Sequence, residues 1–342
     1  MRRLASGPLQ SEDRKLTAPI LDIDDLKVAF SQGGRTIHAV RGVSLTLAPG
    51  EVVGVVGESG SGKSVAMMSV ARLLDEKQAT ITAARLDLDG HPILGMKQRQ
   101  LEKLRGPTVS YVFQDPLSSL NPVLTVGRQI SEGLRRHRGM SRTEAKDAAI
   151  ELLRQVGIPA PELRVNQHPH EASGGMRQRM MIAMALALRP KLLIADEPTT
   201  ALDVTVQADI IRLIQQIQRD IGMAMIWVTH DLALLARVAK RIVVMYGGRI
   251  VEDAPSSRLY SAPAHPYTRG LLDSTSRFDV SFREQTPIPG TPPDPSLPIT
   301  ACAFAPRCAR ATDICRTKIP TLDQCGGGQS VACFHPLIGS AS

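Results

Sequence analysis

An apolar run, Val52-Val53-Gly54-Val55-Val56, leads straight into Gly57-Glu58-Ser59-Gly60-Ser61-Gly62-Lys63-Ser64. No other stretch restricts the fold as much. The first five residues predict a buried strand, and the next eight a tight loop into a helix starting near Lys63. Glycines 57, 60 and 62 let the backbone curl so that successive N–H groups point inward, and the helix start adds the positive end of its dipole. Such a cradle fits phosphate oxygens. Lys63 can place a point charge between β- and γ-phosphates, and the Ser64 hydroxyl can ligate Mg²⁺. The alternative, a glycine-rich turn that binds nothing, leaves the full eight-residue pattern unexplained. The loop therefore predicts a nucleoside triphosphate ligand without saying what its energy drives.

The chain has 342 residues, which allows two domains or one domain with an appendage. Its hydrophobic and charged fractions, 43% and 22%, are those of an ordinary soluble globular protein. A net charge of +8 favours anionic partners: nucleotide, nucleic acid or a lipid surface. An Arg-rich solvated surface is the plainer account, and Arg135-Arg136-His137-Arg138 reads that way. No apolar stretch approaches the ~20 residues that span a bilayer. Met1-Arg2-Arg3 is not followed by the apolar core of a signal peptide, so residues 1–18 are expected to be a loose leader and the protein to stay on the cytoplasmic side.

Alternating apolar residues predict strands at Ile20 to Phe30, Val43 to Leu47, Leu86 to Asp89 and Val109 to Phe113. From about 115 to 175 helical periods replace them, as in Ala145, Ala148, Ala149, Leu152, Leu153 and Val156, which predicts a helical subdomain inserted between strands of one sheet. Strand signals return at Leu192 to Ala195, Ala224 to Val228 and Ile242 to Met245. Between the first two, Asp203 or a neighbour caps a long helix carrying Ile210, Ile214, Ile217 and Ile221, closed by Gly222. This alternation predicts an α/β fold with a mainly parallel sheet covered on both faces. Prolines then make residues 279–299 a semi-stiff connector to a cysteine-bearing tail. That tail has few large apolar residues and is expected to be irregular, needing a crosslink or metal to hold its shape.

Asp196 and Glu197 follow the strand at 192–195, where such sheets bind ligands. Asp196 can hold the Mg²⁺ shell, and Glu197 can take a proton from the attacking water or orient it. His230 ends another strand and can contact the γ-phosphate; Gln114, at a third strand end, can reach Mg²⁺ or water. Ser173, Gly174 and Gly175 expose backbone N–H groups at a helix start, a second anion site far from the first. One phosphate is not readily served by both within one subunit, so this turn is expected to cap the nucleotide of another copy or a paralogue.

At this point the chain resembles the ATP-binding cassette (ABC) family, nearly end to end over residues 20–260. The Walker A loop 57–64, Gln114, the signature 172–176, the Walker B strand with Asp196-Glu197, then Ala201-Leu202-Asp203 and His230 stand in the family's order and spacing. The resemblance implies an ABC-type nucleotide-binding domain over 19–260, with an antiparallel β subdomain beside the parallel core. It also implies two cassettes sandwiching two ATP molecules. Phe30 matches the aromatic residue that stacks on adenine, with Phe for the usual Tyr; a core strand residue is the equal alternative. In the signature, Met176 replaces the commoner Gln and Ala172 the usual Leu.

More narrowly, Phe113-Gln114-Asp115-Pro116-Leu117-Ser118-Ser119-Leu120-Asn121-Pro122 and His265-Pro266-Tyr267-Thr268 resemble the ATPase subunits of dipeptide, oligopeptide and nickel importers. This implies an ATPase powering peptide import, with a C-terminal oligopeptide-transporter region over 261–342. Implied partners are a second cassette, two permeases and an extracytoplasmic binding protein, with the subunit peripheral on the cytoplasmic side of the plasma membrane. Nickel or glutathione import, or a soluble cassette ATPase acting on nucleic acid, are the alternatives. The resemblance favours a paralogue as the second cassette and no nucleic-acid partner.

All five cysteines fall in the last 41 residues. Their spacing lacks the close pairs of zinc ribbons and suits an iron–sulfur cluster. The resemblance implies a 4Fe–4S cluster on Cys302, Cys308, Cys315 and Cys333, with Cys325 a bystander. Zinc, or thiols without metal, are the alternatives.

Overall fold

The structure is a computed structural model that describes residues 18–199, 203–274 and 287–337. The expected leader (but for Ala18), Ala201 and Leu202 of the motif before Asp203, and the first residues of the connector, 279–286, lie outside the described residues. The chain opens with β1 (Leu21–Gln32), β2 (Arg35–Leu47), β3 (Val52–Val56) and α1 (Lys63–Val70). Then come β4 (Ala79–Thr82), β5 (Arg85–Leu88), β6 (His91–Pro92), α2 (Gln98–Leu104) and β7 (Val109–Val112). Four helices follow: α3 (Pro116–Ser119), α4 (Val126–Arg138), α5 (Arg142–Gln155) and α6 (Pro161–Arg164). Next are α7 (Gly174–Leu186), β8 (Leu192–Asp196), α8 (Val204–Ile221), β9 (Ala224–Thr229), α9 (Leu232–Val238), β10 (Arg241–Tyr246) and β11 (Arg249–Pro255). The C-terminal region holds α10 (Ser256–Ser261), α11 (Pro266–Ser274), α12 (Asp313–Thr317), β12 (Asp323–Gly326) and β13 (Gln329–Val331).

The larger sheet runs in the order β12-β13-β11-β10-β3-β9-β8-β7. Strands β10, β3, β9, β8 and β7 are mutually parallel. Residues of β8 and β9 are buried throughout, because helices cover both faces of the sheet. Register aligns the strand ends: Val56 lies opposite Thr229, Asp196 opposite Val228, and Val112 opposite Ala195. The segments leaving β3, β7, β8 and β9 therefore emerge side by side, where open α/β sheets bind ligands.

Strands β1 and β2 form a long antiparallel pair, extended by β4, β5 and β6 into the second sheet. Leu21, Ile23, Leu26 and Val28 from β1 pack with Val53 and Val55 from β3 and Met67 from α1 in one core. Between β7 and α7 the chain is helical. Thr125 caps α4 and a Ser141–Glu144 capping box starts α5. Ile130, Leu134, Ala149 and Leu153 of these helices meet Met180 of α7 in the other core.

The C-terminal region corrects the expectation of a tail that needs a crosslink or metal. Strand β13 pairs with β11 and carries β12 with it, so the tail extends the main sheet. The fully buried Glu252 carboxylate accepts the N–H groups of Ala264 and His265 and the Gln329 amide, at 2.7 to 2.9 Å. Phe304 packs among Tyr246, Tyr267 and His265, its ring centroid within 5.7 Å of each. Sheet pairing, a satisfied buried carboxylate and an aromatic cluster hold the region, and all five cysteines are free.

Candidate functional site

The loop at 57–64 needs its glycines for different reasons. Gly57 and Gly62 have φ of +157° and +94°, and a Cβ would stand 2.2 Å from the Met245 carbonyl oxygen at the first and 2.3 Å from that of Ala39 at the second. Lys63 is buried, and its Nζ donates to the carbonyls of Gly57 (2.7 Å) and Glu58 (3.0 Å). Burial lowers its pKa, opposed by the nearby carboxylates of Glu197, Asp196 and Glu58.

Asp196 and Glu197 face this loop in different ways. The Asp196 carboxylate is buried and takes two hydrogen bonds, from the Ser64 hydroxyl (3.0 Å) and the Tyr111 phenol (2.7 Å). Burial raises its pKa, and these two donors and Lys63 work against the rise. Tyr111, pushed far above its ordinary range by burial and by Asp196, stays a donor. Glu197 has a φ of +45°, in a region that costs a non-glycine residue about 1–3 kcal/mol. Its N–H is held by the Val228 carbonyl at 2.9 Å. Its carboxylate accepts the Gln114 amide at 3.0 Å and lies 3.1 Å from His230 Nδ1. Gln114 and His230 are exposed. Four strand ends thus assemble a general-base candidate, Glu197, beside an oxygen pair, Ser64 and Asp196, next to a buried lysine.

The remaining expected residues stand elsewhere. A small cavity along Glu58, Ser59, Gly60 and Ser61 is bounded by His38, Tyr246 and the connector prolines 292, 293 and 295. Neither Phe30 nor the turn 173–175 lines it. Phe30 is half-buried on β1, opposite Ile37 and Ala79, and packs on the β1–β2 core. Ser173 caps α7, accepting the Met176 N–H at 3.4 Å, with Gly174 exposed beside it. Ala172 is buried, and the cap forms despite its short side chain. Asp203 caps α8 through the Val206 N–H at 2.9 Å.

Sequence reasoning missed Tyr111, Tyr267 and Arg307. The Tyr267 hydroxyl accepts the Glu58 N–H at 2.8 Å, and Arg307 grips the Glu58 carboxylate. None of the three has a local signature in the sequence: Tyr111 reads as a strand residue of β7, and the other two pair with Glu58 across long stretches of chain.

The iron–sulfur expectation is corrected. Cys302, Cys308, Cys315 and Cys333 line one small cavity with Phe304 and His335. Among the described residues, however, no group of three or more His, Cys, Asp or Glu is placed to hold a metal ion. Burial pushes the Cys302 thiol up and that of Cys333 to about 11. Spacing brought the sulfurs to one cavity without converging them on one centre, and no metal chemistry is assigned to them.

Comparison with known proteins shows the family of the chain. Residues 40–200 match the ABC transporter family model, and residues 251–315 match the oligopeptide/dipeptide transporter C-terminal region. A probable peptide ABC transporter ATP-binding protein of Sinorhizobium fredii is 46% identical over 317 residues, covering 92% of this chain and 95% of the relative. A putative peptide import ATP-binding protein of Brucella melitensis is 49% identical over 315 residues, covering 89% and 93%. Among solved structures, a dimeric ATP-binding cassette in a post-hydrolysis state with ADP and Pi aligns with a TM-score of 0.62 at 29% identity, covering 69% of this chain and 98% of that one. The cbiO1 protein of Clostridium perfringens, part of an ABC transporter complex, aligns at 0.60 and 26%, covering 72% and 92%.

Proposed function

The chain belongs to the peptide-import ATP-binding proteins of the ABC transporter family, and we propose that it hydrolyses ATP with Glu197 as the base that activates water. It is an ATPase that powers peptide import through membrane permeases. The observation that carries the site assignment is the Glu197 carboxylate, aimed by Gln114 and His230 beside the Ser64–Asp196 pair.

The loop amides of residues 57–64 and Lys63 hold the β- and γ-phosphates. The Ser64 hydroxyl and the Asp196 carboxylate form a hard oxygen pair that fits Mg²⁺, with the Gln114 amide offering a further oxygen. Held by Ser64 and Asp196, Mg²⁺ would supply positive charge to offset that developing on the phosphate oxygens. Glu197 takes the proton of the attacking water, and His230 steadies that carboxylate and contacts the γ-phosphate. Catalysis of this kind is positioning and electrostatics, with no covalent intermediate.

The Ser173–Gly175 turn does not line the cavity beside its own loop, which supports a role in trans: it completes the nucleotide site of a second cassette, a paralogue, while the partner's turn completes this one. Among the described residues no helix is long and apolar enough to cross a membrane. The subunit works as a peripheral protein on the cytoplasmic face of two permeases that receive cargo from an extracytoplasmic binding protein.

Glu197→Gln keeps the shape and removes the basic carboxylate. ATP turnover should fall at least 100-fold while ATP stays bound, within the range general-base catalysis supplies. Turnover equal to the parent's would remove Glu197 from the mechanism.

A further inference from the structure

Two groups of the C-terminal half, Arg307 and Tyr267, converge on one residue of the phosphate loop, and a third, Tyr246, braces Arg307. The Arg307 guanidinium, with its side chain 4% exposed, forks onto the Glu58 carboxylate: Nη1 to Oε2 at 2.6 Å and Nη2 to Oε1 at 3.0 Å. The Tyr246 hydroxyl, 3.2 Å from Nη1, accepts from the same guanidinium. The Tyr267 hydroxyl takes the Glu58 backbone N–H at 2.8 Å. Glu58 is thus fixed by both its side chain and its main chain. Its carbonyl, with that of Gly57, is in turn the acceptor for Lys63 Nζ.

Resting on the ATPase reading above, we propose that Arg307, 249 residues from Glu58 in sequence, is a positioning residue for nucleotide binding: it holds the phosphate loop through Glu58 in the shape that presents Lys63 and the loop amides to phosphate. Two features support this over simple anchoring of the tail. The tail already has sheet pairing through β13 and the Glu252 hydrogen bonds to hold it. The remaining Arg307 donors run to the carbonyls of Pro289 (2.8 Å) and Ile288 (3.3 Å), so the guanidinium joins connector, tail and loop in one rigid unit. A bidentate fork fixes orientation as well as distance, which a lysine point charge does not.

The test is ATP affinity of the full chain, by titration with a fluorescent ATP analogue, in Arg307→Ala, Arg307→Lys, Glu58→Gln and the double variant Glu58→Gln/Arg307→Ala. Melting temperatures are measured alongside. Arg307→Ala should raise the Kd roughly 10-fold, the order expected when a charge-assisted fork onto a binding element is lost. Arg307→Lys should recover part of that loss, and the double variant should bind no worse than the worse single variant, because both changes cut the same link. If Arg307→Ala does not fold, Arg307→Lys and Glu58→Gln still decide. Folded variants that melt lower yet bind ATP as the parent does would reduce Arg307 to a tail anchor and overturn the proposal. A parent chain that binds no ATP would instead sink the ATPase reading itself.

Discussion

Asp196 is where the hydrogen bonds of Ser64 and Tyr111 meet, and its surroundings pull its protonation in opposite directions, with burial the largest effect. Burial favours its protonated form; Ser64, Tyr111 and Lys63 favour the charged one. Tyr111 contributes orientation as well, since its hydroxyl occupies Oδ2 and leaves Oδ1 toward Ser64. Tyr111→Phe removes one hydrogen bond to a charged group, worth about 1.5–3 kcal/mol. ATPase activity should then fall about 10-fold at limiting Mg²⁺ and recover partly as Mg²⁺ is raised, as a metal titration will read. Neighbouring residues show what a sequence can and cannot disclose. Glu197, His230 and Gln114 were legible because each follows an apolar strand, and the ends of such strands are where α/β sheets bind ligands. Tyr111 was not, because a phenol within a strand looks like core until the strand opposite is known.

Among elements, the phosphate loop and the C-terminal region differ most in how far their sequences expose their structure. The loop obeys a local rule: glycines stand where the backbone turns left-handed or meets a carbonyl. Strand β13 has three residues and depends on β11 for its pairing, so no periodicity marks it. The cysteine spacing misled for a related reason, since distance along the chain does not fix where sulfurs point. The joint between α11 and the main sheet makes its own prediction. His265 is wholly buried, its Nδ1 accepting the Tyr267 N–H at 3.0 Å, and burial lowers its pKa from 6.5 to about 3. Below pH 6.5 the unfolded chain binds more protons than the folded one, so this residue's contribution is intact above that pH and is lost progressively toward pH 3. The loss approaches about 1.4 kcal/mol per pH unit. His265→Gln, which does not titrate, should flatten the fall in melting temperature between pH 6.5 and 4.5; an unchanged slope would mean that His265 is not buried neutral.

At the scale of the whole molecule, the proposed function gives the fold two half-sites, each meeting a different nucleotide. On that reading the loop at 57–64 with Asp196 and Glu197 makes one, and the cap of α7 the other. Gly174 separates their functions. A Cβ at 174 meets nothing within 4 Å, and an aspartate in the first turn suits the helix dipole. Gly174→Asp should therefore fold and melt like the parent and bind ATP at its own loop unchanged, while setting a negative charge against the phosphates of the partner's nucleotide. The most direct measurement is ATP-driven uptake of a labelled peptide into proteoliposomes holding this chain, its partner cassette and the permeases. The parent complex should import peptide only with ATP, and the Gly174→Asp complex should lose uptake by at least 10-fold, the scale of repulsion between close like charges. Uptake by the Gly174→Asp complex at the parent's rate, or none by the parent with ATP supplied, would contradict the account.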